Sequence, residues 1–288
     1  MHKSSAINRC REGEILVPST GIYKFPTKEF PDSLFLIPLS QSVRKGVMCV
    51  LVLVTQPTKE TSLMIGANRD EFRQRPSAAP AILEEGIMGG QDLEAGGTWL
   101  GVNQEGLFVA ITNRSHPLPA QDSPSRGKLV MEALRTPTVQ AAQARVEKLL
   151  NDHPYAGFNL VVLKEGTGFC FQNGEEQSIL PITPGIHVVS SNRDMDDPRM
   201  QEKKVATKLL KGLEGEDAIE TGLLSVLKDH EDKDGYPVCK HGNQYGTVSS
   251  TLLRLPVKGL QKARYLYTSG QPCTSPFEDY SSTIHSFE

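Results

Sequence analysis

The sequence predicts an α+β protein built as a four-layer α-β-β-α sandwich with largely antiparallel sheets. Three observations carry this. Short apolar runs rich in β-branched residues come in clusters, with turn residues between them. Two pairs of amphipathic segments with helical spacing interrupt those clusters. Strands and helices do not alternate one for one, as they would in a parallel βαβ array.

The ordered pattern begins at Met48. Residues 49–54, CVLVLV, and 61–67, TSLMIGA, read as a strand pair joined by the turn-rich TQPTKE. A second pair follows at 98–103, TWLGVN, and 107–112, LFVAIT, around the turn QEG. Segments 126–135 and 139–150 place Leu129, Val130, Ala133 and Leu134, then Val139, Ala142, Val146, Leu149 and Leu150, three and four apart. They are two helices separated at Pro137, expected on one face of a sheet. Strands return at 158–163, 168–172 and 186–191, helices at 199–213 and 219–227, and strands close the pattern at 247–255 and 263–268. Residues 1–47 lack sustained periodicity and are punctuated by Pro18, Pro26, Pro31 and Pro38. They are expected to be a poorly ordered extension, with 48–288 as the domain.

Composition narrows the function classes. Apolar residues together with glycine make up roughly 47% of the 288, an ordinary value for a folded chain. A formal charge of −3 supplies no basic surplus for nucleic acid or an anionic membrane, so neither partner is expected. No apolar run approaches the roughly 20 residues needed to span a bilayer; LFLIPL is short and broken at Pro38. The extension carries seven Lys/Arg against four Asp/Glu and has no signal-peptide core. Five cysteines, Cys10, Cys49, Cys170, Cys239 and Cys273, are odd in number, widely separated and form no CxxC. Neither a disulfide framework nor a zinc site is expected, and a reducing, intracellular compartment fits best.

The chain has no GxGxxG, GxxxxGK[ST] or HExxH, and its seven histidines are scattered, so a built-in catalytic metal is not expected. The block GANRDEF, 66–72, is more informative: four polar or charged residues follow directly on an apolar strand. Arg69, Asp70 and Glu71 are either a solvated loop or the wall of a site. Cys49 has two readings as well. Within an apolar run it is an inert buried thiol. If translation starts at Met48 and that residue is removed, Cys49 becomes the first residue, and its α-amino group, with a pKa near 7.7–8.0, takes the thiol proton. Arg69 would then favour the thiolate and Asp70 would orient the amine or a substrate.

Taken in order, MCVLVLV, ANRDEFRQRP, GGQDLEAGGTWLGVNQEG, AITNRS, GFNLVV and VVSSNRD resemble the NRDE family, whose eukaryotic members are the transport and Golgi organisation 2 proteins. The resemblance runs from Met48 to about Tyr267. That family is similar in turn to the N-terminal-nucleophile (Ntn) hydrolases, above all the choloylglycine-hydrolase-like cysteine amidases, which have the four-layer sandwich. On that similarity Cys49 takes the nucleophile position, supported by Arg69 and Asp70. Asn113 and Asn192 fall where amide side chains line the pocket, Asn113 as the candidate oxyanion donor. The cysteine amidases carry a further arginine on a late strand, where this sequence has Val248 and Ser249.

The resemblance implies work in Golgi organisation and protein secretion, in mitochondrial and lipid homeostasis, and in haem trafficking, through a pocket around Cys49. It implies a cytoplasmic location with mitochondrial or Golgi association. No cofactor is required for chemistry; haem or an acyl-type lipid is the expected small-molecule ligand, with His116, His153 and His187 as candidate haem ligands. The rival expectation is an active Ntn-type cysteine amidase cleaving a C–N bond.

Overall fold

The run at 49–54 forms strand β1, Val50–Thr55, buried on both faces. Leu51 and Leu53 join a core between two sheets, while Val50, Val52 and Val54 join a second core beneath a helix pair. Side chains alternate faces with period two, and here both faces are apolar. The computed structural model describes residues 49–118, 120, 122–231 and 237–287. The extension expected over 1–47 lies outside the described residues.

In chain order the further strands are β2 (Thr61–Phe72), β3 (Ser77–Glu84), β4 (Ile87–Asp92), β5 (Leu100–Asn103), β6 (Phe108–Asn113), β7 (Phe158–Lys164), β8 (Thr167–Asn173), β9 (Gln177–Ile182), β10 (Gly185–Ser190), β11 (Tyr245–Pro256), β12 (Arg264–Ser269) and β13 (Glu278–Asp279). One sheet has the order β10-β1-β2-β11-β12-β13 and the other β3-β4-β5-β6-β7-β8-β9. Every pairing is antiparallel, and both predicted hairpins, β1–β2 and β5–β6, are present.

Helices α1 (Arg126–Leu134) and α2 (Val139–Asp152) cover the second sheet. Their residues Leu129, Val130, Ala133, Ala142 and Val146 pack against Val109, Ile111, Leu160 and Val162. Helices α3 (Gln201–Leu210) and α4 (Glu216–Lys228) cover the first, with Ala206, Leu210, Leu223 and Val226 against Val52, Val188 and Leu252. Each fully buried Val or Leu contributes about 1.5–3 kcal/mol, so the three cores together hold the layers. Thr138 caps α2 by accepting the Ala141 amide at 3.1 Å. A short helix, α5 (Ser281–His285), plugs Ile284 into the core between the sheets. The layers are those the sequence predicts. Among the described residues no helix is long and apolar enough to cross a membrane.

Four strands escape the sequence reading, for three physical reasons. β3 and β9 are the two edges of the second sheet, and each contains a proline, Pro80 and Pro181. Proline lacks the ladder donor and blunts a strand signal, yet an edge tolerates it. The β3 register shifts between Ala78 and Ala81, around Pro80. β4 contains Gly89 and Gly90, which weaken a strand signal. A Cβ on Gly90 would come within 2.5 Å of the Trp99 ring, so glycine there makes room for the indole. β13 spans only two residues, too few to carry a periodicity.

Candidate active site and binding cavity

The site assembles at one end of the sandwich. β2 and β10 flank β1, with Val50 opposite both Asn68 and Ser190. Cys49, one residue before Val50, therefore lies between Arg69 of β2 and Ser191 after β10. Its backbone amide donates to Ser191 Oγ at 3.0 Å, and the Ser191 amide donates back to the Cys49 carbonyl at 3.1 Å. Across the sandwich, the Asn192 amide donates to the Asn113 carbonyl at the end of β6 at 3.1 Å. Asn192 sits at φ 62°, a left-handed turn conformation that asparagine tolerates, and its Oδ1 accepts from the amide and hydroxyl of Ser115. Two sheets are thus tied at the place where Cys49 opens to solvent.

The thiol of Cys49 lies 3.5 Å from the Asp70 carbonyl oxygen. Burial and the Asp70 carboxylate push its pKa up to about 11, against the smaller pull of Arg69. With residue 48 attached, desolvation outweighs the pull of Arg69; the expectation that Arg69 favours the thiolate concerns a chain that begins at Cys49. Arg69 packs instead on Trp99, its Cζ 4.6 Å from the ring centroid.

Asp70 is placed differently from Cys49, Arg69, Asn113 and Asn192. Its carboxylate faces away from the cavity those four line, accepting from Lys240 Nζ and from Thr247 Oγ1, each at 2.6 Å. Burial raises the Asp70 pKa against the pull of Lys240 and Thr247. Burial also works against the Lys240 ammonium, but Asp70 outweighs it and holds Lys240 above its ordinary value. Between those two titrations the pair is an ion pair. It anchors the NRDE block from behind, while Tyr245 OH donates to the Asp70 carbonyl at 2.7 Å. At Val248, where a late-strand arginine was sought, the pairing of β11 with β2 shifts register between Thr247 and Ser249. The buried cation near Asp70 comes from Lys240, on the segment entering β11.

The cavity has a volume of about 460 Å³. Four arginines line it, Arg69, Arg75, Arg114 and Arg126, against two carboxylates, Glu71 and Asp92. Arg75 is committed to Asp92 at 2.8 Å and Glu94 at 2.9 Å, and Arg114 to Asp194 at 2.8 Å. Arg126 donates to the Gly157 carbonyl at 2.8 Å and has no ion pair among the described residues. Among the described residues, Arg69 is 6% exposed, its carboxylate contact is Glu71 at 3.9 Å, and its Nη1 is buried without a hydrogen-bond partner. Trp99, Ile111 and Ala156 supply apolar wall. The Asn113 amide side chain makes no hydrogen bond among the described residues. Sequence reasoning missed Arg126, Ser191 and Lys240; Ser191 and Trp99 lay inside quoted motifs, whereas nothing local marks Lys240.

None of the three histidines lines this cavity. His116 lines a neighbouring one that shares Arg114, Ser115 and Asn192 with it. His153 is the exposed C-cap of α2. His187 has both ring nitrogens engaged, Nδ1 with Asp196 at 2.6 Å and Nε2 with the Thr183 carbonyl at 2.7 Å.

Comparison with known proteins agrees with this arrangement. Penicillin V acylase from Agrobacterium tumefaciens superposes with a TM-score of 0.53 at 13% identity, over 83% of this chain and 89% of that one. Two antiparallel sheets between helix layers are the arrangement of the Ntn-hydrolase fold. Within it, the chain belongs to the family described as transport and Golgi organisation 2, whose model matches residues 48–265. The transport and Golgi organization 2 homolog of Mus musculus is 28% identical over 251 residues, 74% of this chain and 90% of that protein. The homolog of Bos taurus is 25% identical over 279 residues, 83% and 99% of the two chains.

Proposed function

We propose that this protein serves transport and Golgi organisation by holding an amphipathic anion in the Cys49 cavity. The ligand has an apolar body and one or more carboxylate or phosphate groups. The single observation that carries the reading is Arg69 in the cavity wall, whose buried Nη1 has no hydrogen-bond partner among the described residues. A buried charged donor left unpaired is costly, so an anion that accepts from it gains about 1.5–3 kcal/mol. Arg126 supplies a second cation, and Trp99, Ile111 and Ala156 accept the apolar part. Haem, with its carboxylates, and a fatty acyl-CoA, with its phosphates, share this chemistry. Family membership supports transport and Golgi organisation; roles in secretion, in mitochondrial and lipid homeostasis and in haem trafficking, from the cytoplasm in association with mitochondria or the Golgi, are part of the proposal.

The test uses haem and palmitoyl-CoA separately. Haem is followed by its Soret band and palmitoyl-CoA by calorimetry, in wild type and in Arg69→Gln and Arg126→Gln. Each substitution is expected to weaken the true ligand roughly 10- to 100-fold. Failure of both ligands to bind would remove the reading. Because the candidate histidines lie outside the cavity or are engaged, haem is expected to bind through its carboxylates and to transfer readily to a stronger acceptor.

A second reading, cysteine amidase, is favoured by the Asn113 amide and the Cys49 thiol facing the same cavity. A free Cys49 amine would take the thiol proton as sulfur attacks the amide carbonyl, and would return it to the departing nitrogen; water would then cleave the thioester. Asn113 would donate to the oxyanion. With residue 48 attached, the Cys49 nitrogen is an amide and has no basic lone pair. Intact mass of the mature protein decides whether this chemistry is open, and loss of amide hydrolysis in Cys49→Ala decides whether it occurs.

A further inference from the structure

Away from the Cys49 cavity, behind the Asp70–Lys240 pair, three chain segments bring two cysteines and two histidines together. His230 follows the end of α4, Cys239 and His241 flank Lys240 on the approach to β11, and Cys273 lies in the turn after β12. The sulfurs of Cys239 and Cys273 are 3.5 Å apart. His241 Nε2 is 3.7 Å from Cys239 Sγ and 3.1 Å from Cys273 Sγ. The ligand atoms of His230, His241 and Cys273 all lie within 4.8 Å of one another.

We propose that Cys239, His241, Cys273 and His230 form a structural zinc site. Zinc bound tetrahedrally by thiolate at about 2.3 Å and imidazole at about 2.0 Å sets edges of about 3.8 Å between sulfurs and about 3.5 Å between sulfur and nitrogen. The three distances within the Cys239–His241–Cys273 triangle fall within a few tenths of an ångström of those edges. His230 is the fourth ligand we assign: its ligand atom lies within 4.8 Å of those of His241 and Cys273, and its ring swings toward the Cys239 sulfur to complete the tetrahedron. Its Nδ1 lies 3.0 Å from the Lys228 carbonyl; a carbonyl only accepts, so Nδ1 carries the hydrogen and Nε2 keeps its lone pair for a metal. That is the outer-shell bond which fixes the tautomer of a zinc-binding histidine. The Cys239 amide donates to the Asp229 carbonyl at 2.7 Å, which joins two of the contributing segments independently of any ion.

The donor set selects the metal. Two thiolates and two imidazoles suit a borderline-soft ion with tetrahedral preference, and not magnesium or calcium, which take oxygen. Binding displaces one proton from each thiol to solvent and needs no oxidant. Four protein ligands leave no position for a substrate, so the ion has a structural role. It fastens the 238–241 segment, from which Lys240 reaches Asp70 behind the NRDE block. The sequence reading expected no zinc site because the ligands are spread from 230 to 273 with no CxxC. The fold supplies the proximity that spacing hides.

The experiment uses the full chain, purified without added metal, stripped with a chelator, and reloaded with zinc or cobalt. Wild type is expected to hold one zinc per chain by elemental analysis, and its cobalt form to show the intense visible bands of a tetrahedral site with a thiolate charge-transfer band in the near ultraviolet. Cys273→Ser and His241→Ala are expected to abolish both. His153→Ala, far from the site, is expected to keep them. Cys239 is fully buried, so a variant there perturbs the core; the half-buried Cys273 and exposed His241 keep the test decisive, with circular dichroism checking their folding. Metal-free wild type after zinc reloading, an octahedral cobalt spectrum, or a Cys239–Cys273 disulfide in the protein that takes up no zinc would each overturn the proposal.

Discussion

The guanidinium of Arg69 lies on the face of Trp99, with 4.6 Å from Cζ to the ring centroid. Gly90, on the neighbouring strand β4, is what leaves space for that ring. Trp99 is the only tryptophan of the chain, so its emission reports on this one contact and on the cavity it lines.

The first prediction concerns Gly90→Ala. The added methyl would meet the indole Cη2 at 2.5 Å, well inside contact distance, so the ring must move. The expected cost is about 1–3 kcal/mol of stability, with a shift in tryptophan emission as the ring leaves Arg69. An unchanged emission spectrum would show that Gly90 does not hold the indole in place.

The second concerns Cys49 in the chain that retains residue 48. With its pKa pushed up to about 11, the thiolate is scarce at neutral pH. Alkylation of Cys49 is expected to climb about tenfold per pH unit from pH ~7 to pH ~10. A plateau below about pH 9 would mean that the thiolate is stabilised after all. The folded pKa is raised above the ordinary 9.0, so the neutral thiol's contribution to stability is present below that value and is lost as pH rises through about 11. Cys49→Ala is expected to flatten that alkaline loss.

The third concerns His187. Its hydrogen bond to Asp196 raises its pKa above the ordinary 6.5, against burial. A folded pKa above the unfolded one means stabilisation that is full below about pH 6.5 and fades as pH rises through the folded value. Urea unfolding is expected to show wild type losing stability relative to His187→Gln as pH rises above about 6.5. Parallel profiles would show that the His187–Asp196 contact does not discriminate between the protonation states.

The fourth concerns residues 1–47. Their proline-broken sequence predicts no contribution to the core, so a chain starting at Met48 is expected to melt within about 2–4 °C of the full chain, the scale of ~1 kcal/mol at this size. A larger drop would place the extension against the domain.

The layers and most elements were legible because their signals are local. The unbroken apolar run CVLVLV and the three-and-four spacing in 126–150 are properties of consecutive residues, and burial on both faces of β1 follows from the first. Pro80, Pro181 and the Gly89–Gly90 pair hid three strands, since a local signal weakens where an edge or a packed ring decides the residue. The motifs also single out Cys49, Arg69, Asn113 and Asn192, and those four line one cavity, Arg69 from within β2, which runs on through the polar block to Phe72.

What the sequence by itself determined, then, was the sandwich and the set of polar groups available at its end. Only the tertiary structure decided which way each one faces. The Asp70 side chain turns to Lys240, more than 150 residues away, because the β2–β11 register sets it against Thr247 and the segment entering β11. With residue 48 attached, burial and the Asp70 carboxylate outweigh Arg69 and push the Cys49 thiol toward its neutral form. Cys239, His241, Cys273 and His230 meet because β11, β12 and the end of α4 finish at the same place. Long-range register, and the desolvation that comes with it, have no counterpart in residue spacing.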